Sequence, residues 1–403
     1  MQGSKRARKV LRVIAAGAIL AVGVAILVFA INSQQTATRD YAAYWAAGQQ
    51  LVHHQNPYDG AAIHRIQKEA GYQWDFPLFM RNTPLAFFIA YPLGFFGERS
   101  ALCLWVVVLI LSLVASTHML RAIAGDPPDR THLLAYVFPP VIACLSNGQL
   151  GIILLLGITT FLRFHRTNPL LAGIALIAIA VKPHLFLPFG VALFMWCLFE
   201  RQLQILVGAA LAIVAALAFS LIIDPQSWMQ YQVMIRAEGI ERQYIPCFSM
   251  LFRMLVNRNS FWLQFVPCAI ATAYAAIVMF KRHREWRWEV EGCNVLALSV
   301  MVAPYAWFVD EAVVLPAVLL NVYRASFRYV IVLGFLMAAV LIEVACGAQI
   351  PSNWYVWTAT AWYLWCIGNT RSADAPVHAM NGKDQPSARA AETGVNVIAS
   401  TEP

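Results

Sequence analysis

Long apolar runs alternate with short polar islands along this chain. The runs 10–31, 101–120, Leu203–Ile223 and 329–345 are unbroken, with no apolar–polar alternation. Crossing the hydrocarbon as a helix takes about twenty apolar residues, and a helix satisfies its backbone polar groups where no water can. A β-barrel would show alternating segments of about ten residues instead. The runs therefore predict an all-α polytopic membrane protein of about twelve spans, without an obvious internal repeat. Two regions depart from this pattern. Residues 84–96 are apolar but short and carry Pro92, which predicts an interfacial or re-entrant helix. The long loop 32–83 carries amphipathic helical pieces at 40–52 and 64–70, separated by the breaker Asn56-Pro57-Tyr58-Asp59.

Lysine and arginine in short loops collect on the cytoplasmic side. That rule places the loops 121–132, Arg163-Phe164-His165-Arg166, Glu200-Arg201 and the most basic loop, 281–287, inside. The cluster Lys5, Arg6, Arg8, Lys9 and Arg12 precedes the first run. That run is too long for a cleaved signal, and no small-x-small site follows it, so a retained first helix with a cytoplasmic N-terminus is expected. The C-terminus returns to the cytoplasm. Five polar islands then fall on the exterior face: Asp40; Asn147-Gly148-Gln149; Lys182-Pro183-His184; residues 224–260; and the stretch from Trp307 to Glu311.

Composition sharpens the class. Of 403 residues 60% are hydrophobic and only 12% charged, against roughly a quarter charged in soluble domains. One membrane domain over 1–370 is expected rather than two or three soluble ones. It is followed by a polar, disordered cytoplasmic tail over 371–403. The net charge of +8 is mostly this inside bias, with no basic face suited to nucleic acid. The eight cysteines lie mostly in apolar runs and form no C-x-x-C pair, so they read as small core residues. No metal-ligand spacing appears.

Asp40 is the first acidic residue, one short linker beyond the first run. A carboxylate there can stay ionised at the water interface and reach a lipid-borne substrate, which makes it a candidate general base. Ionisable groups within or beside spans are costly and therefore functional candidates. Each island also has a plainer reading. Asp40 can serve as a helix N-cap, and Asn147-Gly148-Gln149 as a tight turn, since Asn-Gly supplies positive φ. Lys182 can snorkel, the Trp and Tyr residues of 228–244 can form an aromatic belt, and Asp310 and Glu311 can cap a helix.

Taken together, the islands resemble glycosyltransferase family 87, whose members have the GT-C membrane fold. The matching elements run in order. They are Asp40-x3-Tyr44-x2-Ala47-x3-Leu51 with Asn56-Pro57-Tyr58; Asn82-Thr83-Pro84-Leu85 with Tyr91-Pro92-Leu93; Asn147-Gly148-Gln149; Lys182-Pro183; Ser249 with Arg253; and Pro304-x2-Trp307. The resemblance covers roughly 10–320. It implies an integral protein of a bacterial inner (plasma) membrane. Such a protein moves a sugar, often mannose, from a polyprenyl-phosphate donor to a lipid or glycan acceptor at the exterior face, with no cofactor and no metal. Some relatives carry a histidine just after the late Trp; this chain has Val309, Asp310 and Glu311 there.

The residues suit that chemistry. Asp40 would take the proton of the acceptor hydroxyl. Lys182, Arg242 and Arg253, with His184 in a lesser role, would meet the charge on the leaving phosphate. Tyr44, Asn147, Gln149, Ser249, Trp307 and Asp310 would line the sugar and acceptor positions. A single well-placed carboxylate predicts inversion. The rival class, a transporter or flippase of lipid-linked saccharide, calls for paired repeats and charges at mid-membrane, whereas these charges collect at one interface.

Overall fold

The computed structural model describes residues 40–239, 243–346 and 353–374, and every regular element among them is helical. The first apolar run, its basic flank, Arg242 and nearly all of the expected tail lie outside the described residues. Helix Thr358–Asp374 continues past the domain end expected at 370.

Among the described residues, four helices are long and apolar enough to cross a membrane: Glu98–Ile123, Leu203–Ile223, Phe261–Glu285 and Phe327–Ala345. Their side chains are arranged inside out. In Glu98–Ile123 the buried positions include Ser112, Ser116 and Thr117, while Val107, Leu111 and Val114 are exposed. Leu203, Val207, Leu211 and Val214 form a similar exposed stripe on Leu203–Ile223. An outward apolar stripe has no partner in water but is at no disadvantage against lipid chains. The buried hydroxyls stay satisfied locally, as where Ser116 Oγ donates to Ser112 O at 2.7 Å.

The remaining apolar runs are interrupted. Pro84–Phe95, Gly151–Phe164, Pro169–Val181 and Leu187–Phe199 are shorter apolar helices. The expected dozen counts apolar runs, several of which Gly and Pro breaks divide into shorter helical pieces. Irregular backbone at membrane depth survives only where protein buries it or where it lines a polar cavity. Three such breaks supply the candidate site: Gly148 at φ 65°, Lys182 at φ −136° and ψ 68°, and the loop before Trp307.

The loop 32–83 was expected to carry amphipathic helices. Helix Gly60–Glu69 fits: Ile63 and Gln67 are buried, and Asp59 Oδ1 caps it by accepting from Ala61 N at 3.0 Å. Helix Tyr41–Val52 does not fit, because its residues are buried on nearly every side. Its small residues let the segment Pro84–Phe95 press backbone to backbone. A β-carbon on Gly94 would overlap the Gly48 carbonyl, and one on Gly48 would overlap Ala90 O. Gln49 Nε2 donates to Gly94 O at 2.9 Å, and Trp45 Nε1 to Phe96 O at 3.0 Å. Such overpacking typically costs about 1–3 kcal/mol. Gly94→Val is therefore expected to lower the melting temperature of the detergent-purified protein. Gly97→Ala, where nothing lies within 4 Å of the added carbon, leaves it unchanged.

Loops expected on one side of the membrane are joined to one another. His283 Nδ1 meets Glu200 Oε1 at 2.7 Å. His165 packs edge-on to Trp196, which packs on Trp288 beyond the basic loop. Islands read as exterior are likewise joined in pairs, Asp40 to Gln149 and Lys182 to Asp310. Six of the eight cysteines are buried, and all eight are unpaired.

Candidate functional site

Asp40 sits at the N-cap of helix Tyr41–Val52, yet its side chain bonds none of the helix N–H groups. The plain capping role is not realised. The carboxylate turns instead to the second polar island, where Gln149 Nε2 donates to Asp40 Oδ2 at 2.5 Å. Tyr44, one turn along, donates its hydroxyl to Gln149 Oε1 at 3.0 Å. That bond sets the orientation of the amide and so the donor that faces Asp40.

The turn carrying Gln149 depends on Gly148. It adopts the left-handed conformation that favours glycine. A β-carbon there would stand 2.7 Å from Tyr41 Cβ. Trp105 Nε1 donates to its carbonyl at 2.7 Å. The turn and the start of helix Tyr41–Val52 are thus locked together across 109 residues of sequence.

Burial pushes the Asp40 carboxyl above its ordinary value of 3.8; the Gln149 hydrogen bond and the charges of Lys182 and Arg81 oppose that rise, while Asp310 adds to it. A carboxylate made more basic in this way is better matched to removing a proton near neutral pH.

Lys182 Nζ meets Asp310 Oδ1 at 2.6 Å, in a pair whose side chains are only 11% and 1% exposed. The other oxygen, Asp310 Oδ2, accepts from Trp307 N at 3.1 Å. Asp310 therefore caps its own short helix and neutralises Lys182 at once. Removing one member of such a buried pair costs about 3–5 kcal/mol, because the other is left charged and unpaired. His184 packs against Tyr305 with ring centroids 4.2 Å apart. Burial pushes its pKa down to about 3, so the imidazole is neutral and offers no positive charge.

Arg81 was not singled out by the sequence. Its guanidinium bonds Glu238 Oε2 at 2.8 Å and Gln243 Oε1, more than 150 residues away. Next to it, Asn82 Nδ2 donates to Val181 O at 3.4 Å, beside Lys182. Tyr58 OH donates to Asn82 O at 3.2 Å. The only local signal was a cation immediately before the Asn82-Thr83-Pro84 segment.

The other expected site residues are engaged elsewhere. Asn147 Nδ2 donates back to Ala143 O at 2.8 Å. Ser249 Oγ donates to Val302 O at 2.9 Å. Arg253 donates from Nη1 to Gln264 Oε1 at 2.9 Å and from Nε to Arg258 O at 2.9 Å, and it lies over the Phe261 ring. Gln264 Nε2 continues this chain to Pro304 O at 2.7 Å. Ser249 and Arg253 thus brace helix Phe248–Val256 against the strand of chain that leads into Tyr305 and Trp307. Trp307 meets Asp310 through its backbone, with its ring half-buried. Glu311 faces away from this group: Thr358 Oγ1 and Trp362 Nε1 donate to it at 2.7 and 2.9 Å, which anchors helix Thr358–Asp374. Among the described residues, no cluster of three or more His, Cys, Asp or Glu could hold a metal ion.

The candidate site therefore consists of a carboxylate fixed by an amide, a buried lysine–aspartate pair and a partly exposed arginine, near breaks in the helices. The family model of glycosyltransferase family 87 matches residues 79–304, more than half of the chain. Arg81, Gln149, Lys182 and Glu238 lie inside the match; Asp40 and Asp310 lie outside it and reach the matched residues through the bonds above. No curated protein and no solved structure matches the chain. With an all-helical body, spans apolar enough to cross a membrane and this match, the chain belongs to glycosyltransferase family 87 and is a membrane glycosyltransferase.

Proposed function

We propose that this enzyme moves a sugar, mannose in the reading the family favours, from a polyprenyl-phosphate donor to a lipid or glycan acceptor. The reaction takes place at the exterior face of a bacterial inner membrane, within a GT-C bundle of about twelve spans whose termini are cytoplasmic. The observation that carries this reading is the Asp40–Gln149–Tyr44 arrangement beside the Lys182–Asp310 pair. It supports a base with one oxygen held and the carboxylate raised in basicity by burial.

In the reaction, the acceptor hydroxyl oxygen forms a bond to the anomeric carbon. The bond from that carbon to the donor phosphate oxygen breaks, and the polyprenyl phosphate leaves with the electron pair. The acceptor proton passes to Asp40. Attack opposite the leaving group inverts the anomeric centre, which agrees with one base and no second carboxylate acting as nucleophile. Asp310 is held by Lys182 and Trp307 N, so the nucleophile's role does not fall to it. The partly exposed rings of Tyr305 and Trp307 supply aromatic surface for a sugar, whereas Tyr44 is buried and serves Gln149.

The test is incubation of the purified protein with a panel of polyprenyl-phosphate sugars and a native lipid extract. One donor is expected to give a product heavier than an extract lipid by one hexose, with the opposite anomeric configuration by NMR. No product from any donor, together with transbilayer movement of donor in proteoliposomes, would overturn the reading in favour of a flippase.

A further inference from the structure

The phosphate-binding residues expected from the sequence do not supply an available cation among the described residues. Lys182 is committed to Asp310 in a buried pair, and Arg253 braces Gln264 and the Arg258 carbonyl. His184 is neutral. With Asp40 ionised, the group formed by Asp40, Lys182 and Asp310 carries a net negative charge. An anionic donor entering that field would be repelled unless another cation met it.

Arg81 has the required position, and both partners of its guanidinium, Glu238 and the neutral amide of Gln243, can be exchanged for phosphate oxygens. The Asn82–Val181 hydrogen bond holds its segment against the Lys182 turn, and Tyr231 OH approaches the Arg81 carbonyl at 3.5 Å. Its ion pair with Glu238 differs from the other one in exposure: the side chains are 36% and 31% exposed, against 11% and 1% for Lys182 and Asp310. A half-exposed pair is held weakly and its members rehydrate easily, whereas a buried pair cannot exchange a partner without stranding a charge. A guanidinium fork also fits phosphate oxygens as well as it fits a carboxylate.

We infer that Arg81 binds the phosphate of the lipid-linked donor, and that Glu238 occupies the same guanidinium as a place-holder which the phosphate displaces. This inference rests on the polyprenyl-phosphate reading above. On arrival the phosphate takes the Arg81 fork, and Glu238 turns to water. On departure of the product phosphate, Glu238 returns and the site is neutral again on that side.

The two partners then have opposite signs as variants, which a merely structural ion pair does not show. The measurement is binding to the full chain in detergent, by calorimetry, of a short-chain prenyl monophosphate. The matching prenyl alcohol and inorganic phosphate serve as tail-only and phosphate-only arms. Arg81→Gln is expected to weaken prenyl-phosphate binding by about tenfold to a hundredfold, and Arg81→Lys by less, since the charge stays and the fork is lost. Glu238→Gln is expected to tighten it. The alcohol arm moves with none of these variants. Inorganic phosphate is expected to follow the same signs at lower affinity. If Glu238→Gln weakens binding as Arg81→Gln does, or if Arg81→Gln leaves it unchanged, the inference is wrong while the donor reading stands. If the wild-type protein binds the phosphate no better than the alcohol, both fail together. Arg81→Lys and Glu238→Gln keep the assignment testable should Arg81→Gln not fold.

Discussion

Asp40→Asn protein accumulates in the membrane at the wild-type level and loses sugar transfer by about 10²–10⁴-fold, the contribution a positioned base makes. The substitution is a strict test because it changes basicity and little else. The asparagine carbonyl can still accept from Gln149 Nε2, the bond that holds Asp40 at 2.5 Å. Because the wild-type side chain caps none of the helix N–H groups, no cap is lost either. Initial rates with the active donor, normalised to fluorescence of a tagged protein in membranes, provide the measurement. Turnover at the wild-type rate would remove Asp40 from the role of base. The pH profile gives a second readout. A base works when deprotonated, so kcat/KM falls as pH drops through the Asp40 pKa. Burial holds that pKa above 3.8, so the acid limb of the profile is displaced upward from the position of an exposed aspartate.

The second large effect is on stability. Lys182→Met leaves Asp310 charged in a site where it is 1% exposed. Asp310→Leu leaves Lys182 in the same position. Each single change is expected to cost about 3–5 kcal/mol, the size of a broken buried pair. Each should lower the melting temperature of the purified protein sharply. Lys182→Met combined with Asp310→Leu removes both charges and restores most of that loss, since an apolar pair of similar volume often replaces a buried ion pair without penalty. Activity does not return with stability, because the positive charge beside Asp40 is gone. Thermal melting of the two singles and the double, followed by activity of the double, separates the structural from the electrostatic role. A double variant as unstable as the singles would show that the pair is not the dominant interaction between these two segments.

The match of the long apolar runs among the described residues to helices follows from a property that adds up along the chain. Twenty apolar residues bury themselves in lipid wherever they fall in the fold, so Leu203–Ile223 begins and ends where hydropathy predicts. Charge in loops is similarly local, and the loops read as one side from Lys and Arg counts do include pairs in contact, His283 with Glu200 and Asp40 with Gln149. The turn at Gly148 was legible because positive φ is a property of one or two residues. Helix Tyr41–Val52 shows the limit of such reasoning. Its sequence carries both apolar and polar positions, but the segment Pro84–Phe95 covers the face that an amphipathic pattern would give to water.

The sequence by itself determined that this is a helical membrane protein of glycosyltransferase character, and it put Asp40 forward as the candidate base. Only the tertiary structure decided what each charge does. It spends Lys182 on Asp310, 128 residues away. It turns Gln149 from a sugar-facing residue into the clamp on Asp40, desolvates His184 to neutrality, and brings Arg81 to Glu238 across 157 residues. Hydropathy is a sum over neighbours in the chain. A counter-ion is a single contact between helix breaks, and no local pattern records which breaks will meet.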